Sequence, residues 1–138
     1  MVYKIRARVP VSRILLVDDN PINLELMTIL LESEGFTVEP VEHAEDALQR
    51  IRENPPDLLV ADVQLPGMSG LDLLRQVRSD PATQGLCAVV VTSYAMTSDE
   101  QKAYEAGCDG YIRKPIDTRI FGQQVASFLN ARGSDRGA

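Results

Sequence analysis

No stretch of this chain is apolar for anything near the roughly 20 residues that a membrane-crossing helix needs. Basic residues stand near the N-terminus but no apolar run follows them, so a secretory leader is not expected and a cytoplasmic location is. Cysteine is scarce: Cys87 and Cys108 are the two in the chain, too few and too unpatterned for a disulfide framework or a cysteine metal site. Both read as buried small hydrophobes. The single histidine, His43, serves none of the functional readings below and reads as a solvent-side loop residue. Positive charge is in the minority, 14 basic against 20 acidic residues for a net −6, which argues against nonspecific binding to nucleic acid. Repeats and low-complexity segments are also missing. What remains is one ordinary globular domain of 138 residues, large enough for a proper core.

The charge is unevenly spread. Lys4, Arg6, Arg8 and Arg13 give the first 13 residues +4, which leaves −10 on the rest. Residues 1–12 therefore read as a basic arm, a disordered leader in the simplest case. Tyr3, Ile5, Ala7, Val9 and Val11 alternate with polar or small residues, so an extra strand is the competing reading. The domain proper is expected over 13–131, with 132–138 as a frayed tail.

Four apolar runs each stop at a residue fit for phosphoryl chemistry. Ile14 to Val17 ends at Asp18-Asp19, and Leu58 to Ala61 ends at Asp62. Ala88 to Val91 ends at Thr92, and Tyr111 to Arg113 ends at Lys114-Pro115. Short continuous Val/Leu-rich runs are what strands covered on both faces look like in a parallel sheet. Helical signals alternate with them. Asn20-Pro21 opens a helix to about Glu34, stopped by Gly35. Phe36 to Pro40 is a weak strand, and Ala44 to Glu53 a helix ended by Asn54-Pro55-Pro56. Ser69 and Asp72 form a capping-box pattern for a helix to about Ser79, and Thr97 to Glu100 form another for a helix ending at Gly107. Asp117 caps a last helix with Ile120, Phe121, Val125, Phe128 and Leu129 on one face. Gly122 inside it costs about 1 kcal/mol relative to Ala, so that helix depends on docking to the sheet. The order calls for an α/β fold, a five-stranded parallel sheet doubly wound as (βα)5 in the flavodoxin-like manner.

In such sheets ligands sit beyond the carboxyl ends of the strands. Three carboxylates, a hydroxyl and an ammonium would converge there. Asp18, Asp19 and Asp62 in one pocket would repel unless a cation were bound, and a hard divalent ion with oxygen ligands resolves the conflict. Asp62 ends a central strand by itself, and a carboxylate so placed can act as a nucleophile toward phosphorus. Lys114 supplies a compact positive charge and Thr92 a hydroxyl donor for the phosphoryl oxygens.

These residues fall into four motifs: Val17 to Pro21, Asp62 to Gly70, Val91-Thr92-Ser93, and Gly107 to Pro115. In order and spacing they resemble the receiver domain of bacterial two-component response regulators, over about residues 13–131. The resemblance implies that Asp62 is the phosphoacceptor, loaded from a histidine kinase or histidine phosphotransfer protein. It implies Mg²⁺, for which Mn²⁺ could substitute, held directly by Asp19, Asp62 and the backbone carbonyl of Gln64, with Asp18 acting largely through water. Thr92 and Lys114 match the pair that binds phosphoryl oxygens, and Tyr111 the aromatic whose rotamer follows Thr92. Lys114-Pro115 matches a bond that is often cis in the family. Ser93 stands where Ala is common and Ser69 where Asp is common. Gln64 and Tyr94 flank the position where water attacks the acyl phosphate, and bulky Tyr94 is expected to slow that attack.

The expected function is then a phosphoaccepting switch rather than an enzyme acting on other substrates. Signalling is expected through protein contacts, a downstream protein meeting the face formed by the fourth helix, fifth strand and fifth helix, near Met96, Tyr111 and Ile112. A stand-alone receiver, a monomer or weak homodimer without nucleic-acid or membrane partners, is the simplest form. On the first helix Ile22, Leu26, Ile29 and Leu30 make one apolar stripe and Leu24, Met27 and Leu31 another; one faces the sheet and the other could dock a kinase or phosphotransfer helix bundle. Two alternatives stand beside this. A receiver-like interaction domain regulated without phosphate would not need the intact acceptor, hydroxyl and lysine. A metal-dependent phosphatase with Asp62 as nucleophile would be expected to carry an acid where Gln64 stands.

Overall fold

A computed structural model describes residues 12–93 and 97–137. Residues 1–11 of the basic arm, with the strand-or-leader alternatives that fall on them, lie outside the described residues, as do Tyr94 and Met96. Among the described residues, five strands alternate with five helices: β1 (Arg13–Val17), α1 (Pro21–Glu32), β2 (Thr37–Val41), α2 (Ala44–Glu53), β3 (Leu58–Asp62), α3 (Gly70–Ser79), β4 (Cys87–Thr92), α4 (Thr97–Glu105), β5 (Gly110–Arg113) and α5 (Phe121–Gly137). The strands form one parallel sheet in the order β2-β1-β3-β4-β5. After β1 the chain steps first to one side and then to the other, so the crevice at the carboxyl ends opens between β1 and β3.

Both faces are covered. Leu15, Val17, Leu59, Ala61, Ala88 and Val90 point toward α2, α3 and α4. Their neighbours Ile14, Leu16, Leu58, Val60, Val89 and Val91 point toward α1 and α5. This period of two with no polar interruption is why the runs read as continuous apolar blocks. Each fully buried Leu, Ile or Val contributes about 1.5–3 kcal/mol, so the central strands carry most of the core. β2 lies at the edge, exposed at Thr37 and Pro40, which explains its weak signal.

Helix starts and stops follow the local chemistry. Asn20 Oδ1 accepts from the amides of Ile22 (2.9 Å) and Asn23 (3.1 Å) ahead of α1. Ser69 and Asp72 close the expected capping box on α3. Gly35 and Gly107 take φ of 98° and 104° just past α1 and α4, a region that favours glycine. On α1, Leu24, Met27 and Leu31 are the buried stripe, while Ile22, Leu26 and Ile29 are exposed.

The last helix departs from expectation in two places. Ile120 is 42% exposed and does not join the docked face. It sits in a turn whose Ile120 and Phe121 amides both bond the Asp117 carbonyl, at 3.1 and 2.9 Å, and the helix starts only at Phe121. The helix then continues to Gly137, through the segment expected to fray. Gly122 has a packing reason: a Cβ there would lie 2.4 Å from Glu34 Cγ and 3.1 Å from the Leu30 carbonyl oxygen. Its absence lets α5 close on the end of α1.

Candidate functional site

The strands deliver their last residues to the crevice as the runs suggested. Asp62 is paired in register with Val91, so Thr92 stands one residue further along the neighbouring strand. The Lys114 amide donates to the Thr92 carbonyl at 2.8 Å, which fixes the start of the β5–α5 loop beside β4. The Lys114–Pro115 peptide is cis. From there the ammonium reaches back across the sheet, 2.7 Å from Asp62 Oδ2 and 3.2 Å from Asp18 Oδ2.

The remaining oxygens of both aspartates are held by local amides. Asp62 Oδ1 accepts from Gln64 N at 2.9 Å, and Asp18 Oδ1 accepts from Asn20 N at 2.9 Å. Asp18 and Asp62 are buried and Asp19 is exposed. One oxygen from each of the three lies within 4.8 Å of the others. Burial pushes the Asp62 carboxyl above its usual value and Asp18 adds to this, against the opposing pull of Lys114 and the Gln64 amide. Burial alone would lower the Lys114 pKa, but its bonds and charge contacts with Asp62 and Asp18 outweigh that and raise it. One cation thus serves two buried carboxylates, with a third carboxylate at the mouth. Such an all-oxygen, charge-surplus donor set fits a hard divalent ion such as Mg²⁺ and not a soft one. Gln64 is exposed beside this cluster.

Thr92 is buried at the end of β4, and Tyr111 is half-buried on β5. Between them lies a cavity of about 170 Å³, also lined by Val63, Leu71, Asp99 and Lys102. The Tyr111 ring is 6.5 Å from that of Tyr104, centroid to centroid. Ser93 is exposed and, with Lys114, Pro115 and Ile116, borders a larger opening of about 460 Å³ against Asn23, Leu26 and Met27 of α1.

The model of the response regulator receiver domain matches residues 14–126. The chain belongs to the response regulator receiver family. Among curated relatives, the polar-differentiation response regulator DivK of Brucella anthropi is 34% identical over 116 residues, covering 84% of this receiver and 94% of DivK. The DivK of Brucella ovis matches to the same extent. Among solved structures, a response regulator of Chloroflexus aurantiacus superposes with TM-score 0.83 at 32% identity, covering 88% of this receiver and 99% of that chain. A CheY-like receiver domain protein of Methanospirillum hungatei gives TM-score 0.83 at 30% identity, covering 91% and 99%. Among the described residues of the receiver, no helix is long and apolar enough to cross a membrane.

Two features of the site were not read from the sequence. The sequence pattern marks Asn20 as a helix cap, and in the structure its amide also holds Asp18. Gly70 looked like a turn residue, but a Cβ there would lie 2.1 Å from the Asp62 carbonyl oxygen. The first turn of α3 therefore rests directly on the backbone that carries Asp62. The signal was present in the motif as a glycine ending a turn-rich loop at the start of a helix.

Proposed function

We propose that this receiver takes a phosphoryl group onto Asp62 from a histidine kinase or histidine phosphotransfer protein. The observation that carries the reading is Lys114 bridging the buried Asp62 and Asp18 at 2.7 and 3.2 Å. An ammonium already seated against Asp62 is positioned for the oxygens of a group added there. An Asp62 carboxylate oxygen attacks phosphorus, the bond to the donor imidazole nitrogen breaks, and the electron pair returns to the imidazole. Lys114 pairs with the added charge, and the Thr92 hydroxyl donates to a phosphoryl oxygen once drawn toward it. Asp19, Asp62 and the Gln64 carbonyl would hold Mg²⁺, or Mn²⁺ in its place, with Asp18 assisting through water. When bound, the ion offsets the charge gathered around the phosphoryl oxygens.

Readout then follows from population shift. Thr92 moving toward Asp62 enlarges the cavity beside Tyr111, and the face of α4, β5 and α5 changes for a downstream protein. The exposed stripe Ile22, Leu26 and Ile29 beside the opening at Lys114 supports docking of the donor's helices on α1. The protein acts in the cytoplasm as a monomer or weak homodimer, without nucleic acid or membrane, and turns over no substrate other than its own acyl phosphate.

Intact mass after incubation with Mg²⁺ and a small acyl-phosphate donor tests this. One added phosphoryl group is expected, lost in Asp62→Asn and without the metal, and strongly slowed in Lys114→Ala. Labelling that survives Asp62→Asn would overturn the assignment.

A further inference from the structure

The loop from Val63 to Ser69 follows Asp62 directly and contains Gln64, so its shape decides where a metal-binding carbonyl would sit. Its two ends are tied to its own strand and helix. Gln64 N donates to Asp62 Oδ1, Gly70 N donates to the Val63 carbonyl at 3.0 Å, and Ser69 caps α3. Its crest is tied elsewhere. The Met68 amide donates to Oε2 of Glu45 at 3.2 Å, across 23 residues of sequence.

Glu45 stands in the first turn of α2, where the helix dipole favours a carboxylate. Hydrogen bonds from its own amide and from Met68 hold its pKa below the usual value. The crest is shaped to receive it. Gly67 takes φ +75°, and a Cβ there would come within 2.8 Å of Glu45 Oε2. The corner that carries Glu45 is joined in turn to the other wall of the crevice, because Asp18 N donates to the carbonyl of Val41 at the end of β2, at 3.2 Å. Glu45 thus links the corner held by Asp18 to the loop that carries Gln64.

We propose that Glu45 is a positioning residue for the metal and phosphoryl site: its bond to Met68 N fixes the Val63–Ser69 loop, and through it the Gln64 backbone, relative to Asp18 and Asp19. This rests on the metal-dependent phosphoacceptor reading above. Loss of the bond frees the crest without removing any atom of the site. The effect expected is smaller than the 10- to 100-fold losses typical of groups that bond a ligand directly.

The test compares Glu45→Ala with Glu45→Gln in the full chain. Mg²⁺ affinity is read by calorimetry, exchange of the Gln64 and Met68 amides by NMR, and stability in urea. Glu45→Ala should weaken Mg²⁺ by roughly 3- to 10-fold and speed exchange at both amides. Glu45→Gln keeps an acceptor oxygen for Met68 N and should stay within about twofold of the unaltered chain. A merely structural role would lower stability in urea and leave the Mg²⁺ constant alone. Glu45→Ala that matches the unaltered chain in both Mg²⁺ affinity and amide exchange overturns the proposal. So does Glu45→Gln as weak as Glu45→Ala, since charge at the rim would then be responsible. Should the unaltered chain take neither Mg²⁺ nor a phosphoryl group, the functional reading fails. The amide-exchange comparison would still decide whether Glu45 orders this loop.

Discussion

At the end of the sheet opposite the site, one arginine holds four parts of the chain together. The Arg78 guanidinium, on α3, donates from Nε to the Gly107 carbonyl at 2.9 Å and from one terminal nitrogen to the Gln84 carbonyl at 2.9 Å and to the Leu86 carbonyl. Its other terminal nitrogen meets Asp109 Oδ2 at 3.0 Å, and the two side chains are only 18% and 19% exposed. The same Asp109 oxygen accepts from Ala88 N at 2.8 Å, so the network reaches the start of β4. Arg78→Ala removes these four bonds. At a net 1 kcal/mol for an ordinary bond, more for the charged one, and with losses that overlap, the cost is about 3 kcal/mol. For a domain of this size that lowers Tm by roughly 12 °C. Arg78→Lys keeps the charge but not the planar fork and should lose about half as much. Urea unfolding measures the loss, and the labelling assay with an acyl-phosphate donor measures the site in the same samples. The expected result is a shifted midpoint with an unchanged labelling rate in the folded protein. A loss under about 1 kcal/mol for Arg78→Ala, or Arg78→Lys equal to the unaltered chain, would refute the reasoning.

Gly122→Ala should destabilise by about 1 kcal/mol despite the gain in helix propensity, because the added methyl meets Glu34 and the Leu30 carbonyl. A rise in the urea midpoint would contradict this, and adding Glu34→Ala should recover part of the loss. Burial pushes the Cys108 thiol up to about 12, with Asp109 adding to it. At pH 8 only about one thiol in 10⁴ is then ionised, and Cys108 should resist iodoacetamide until the protein is unfolded; comparable labelling of the native protein would count against it. Burial also raises the Asp62 pKa, so ionising this group in the folded protein carries a penalty. That penalty is full above the folded pKa and fades as pH falls toward 3.8, the ordinary value. In metal-free buffer Asp62→Asn should therefore be more stable than the unaltered chain at pH 7, with the gap closing toward pH 4. A gap that is constant across that range would rule out this origin.

The parts of the fold that were legible are those in which a local pattern meets a two-sided environment. α2 was readable end to end because Ala44, Ala47, Leu48 and Ile51 recur on its buried face and Asn54-Pro55-Pro56 stop it. The site aspartates and Lys114 were readable because each ends an apolar run. On α1 both stripes are apolar, so the sequence named them without ranking them. The sheet decides in favour of Leu24, Met27 and Leu31. Ile120 was misplaced because its apolar character extends the helical face one residue beyond the point where the Asp117 turn lets the helix begin. Arg78 and Glu45 carried no signal. Their partners are mostly backbone groups brought near by tertiary packing, and a lone charge on a helix reads as a solvated one.

Stability and chemistry are divided between the two ends of the same strands. On β4, Ala88 is held by Asp109 at one end, and Thr92 is buried at the other, where it lines the cavity beside Tyr111. Four residues of strand separate them by about 13 Å. On β3, Leu58 lies deep in the core while Asp62, at the far end, is buried beside another carboxylate. A lone surplus of buried negative charge is costly in any fold. Here it is confined to the carboxyl ends, where Lys114 and the local amides hold it, and the opposite ends are fastened by Arg78. A phosphoryl group arriving on Asp62 would therefore change which partners Lys114 and Thr92 hold without loosening the sheet beneath them. The cavity between Thr92 and Tyr111 lies at that same end, lined by Asp99 and Lys102 of α4, while Arg78 holds the far end of α4 through the Gly107 carbonyl.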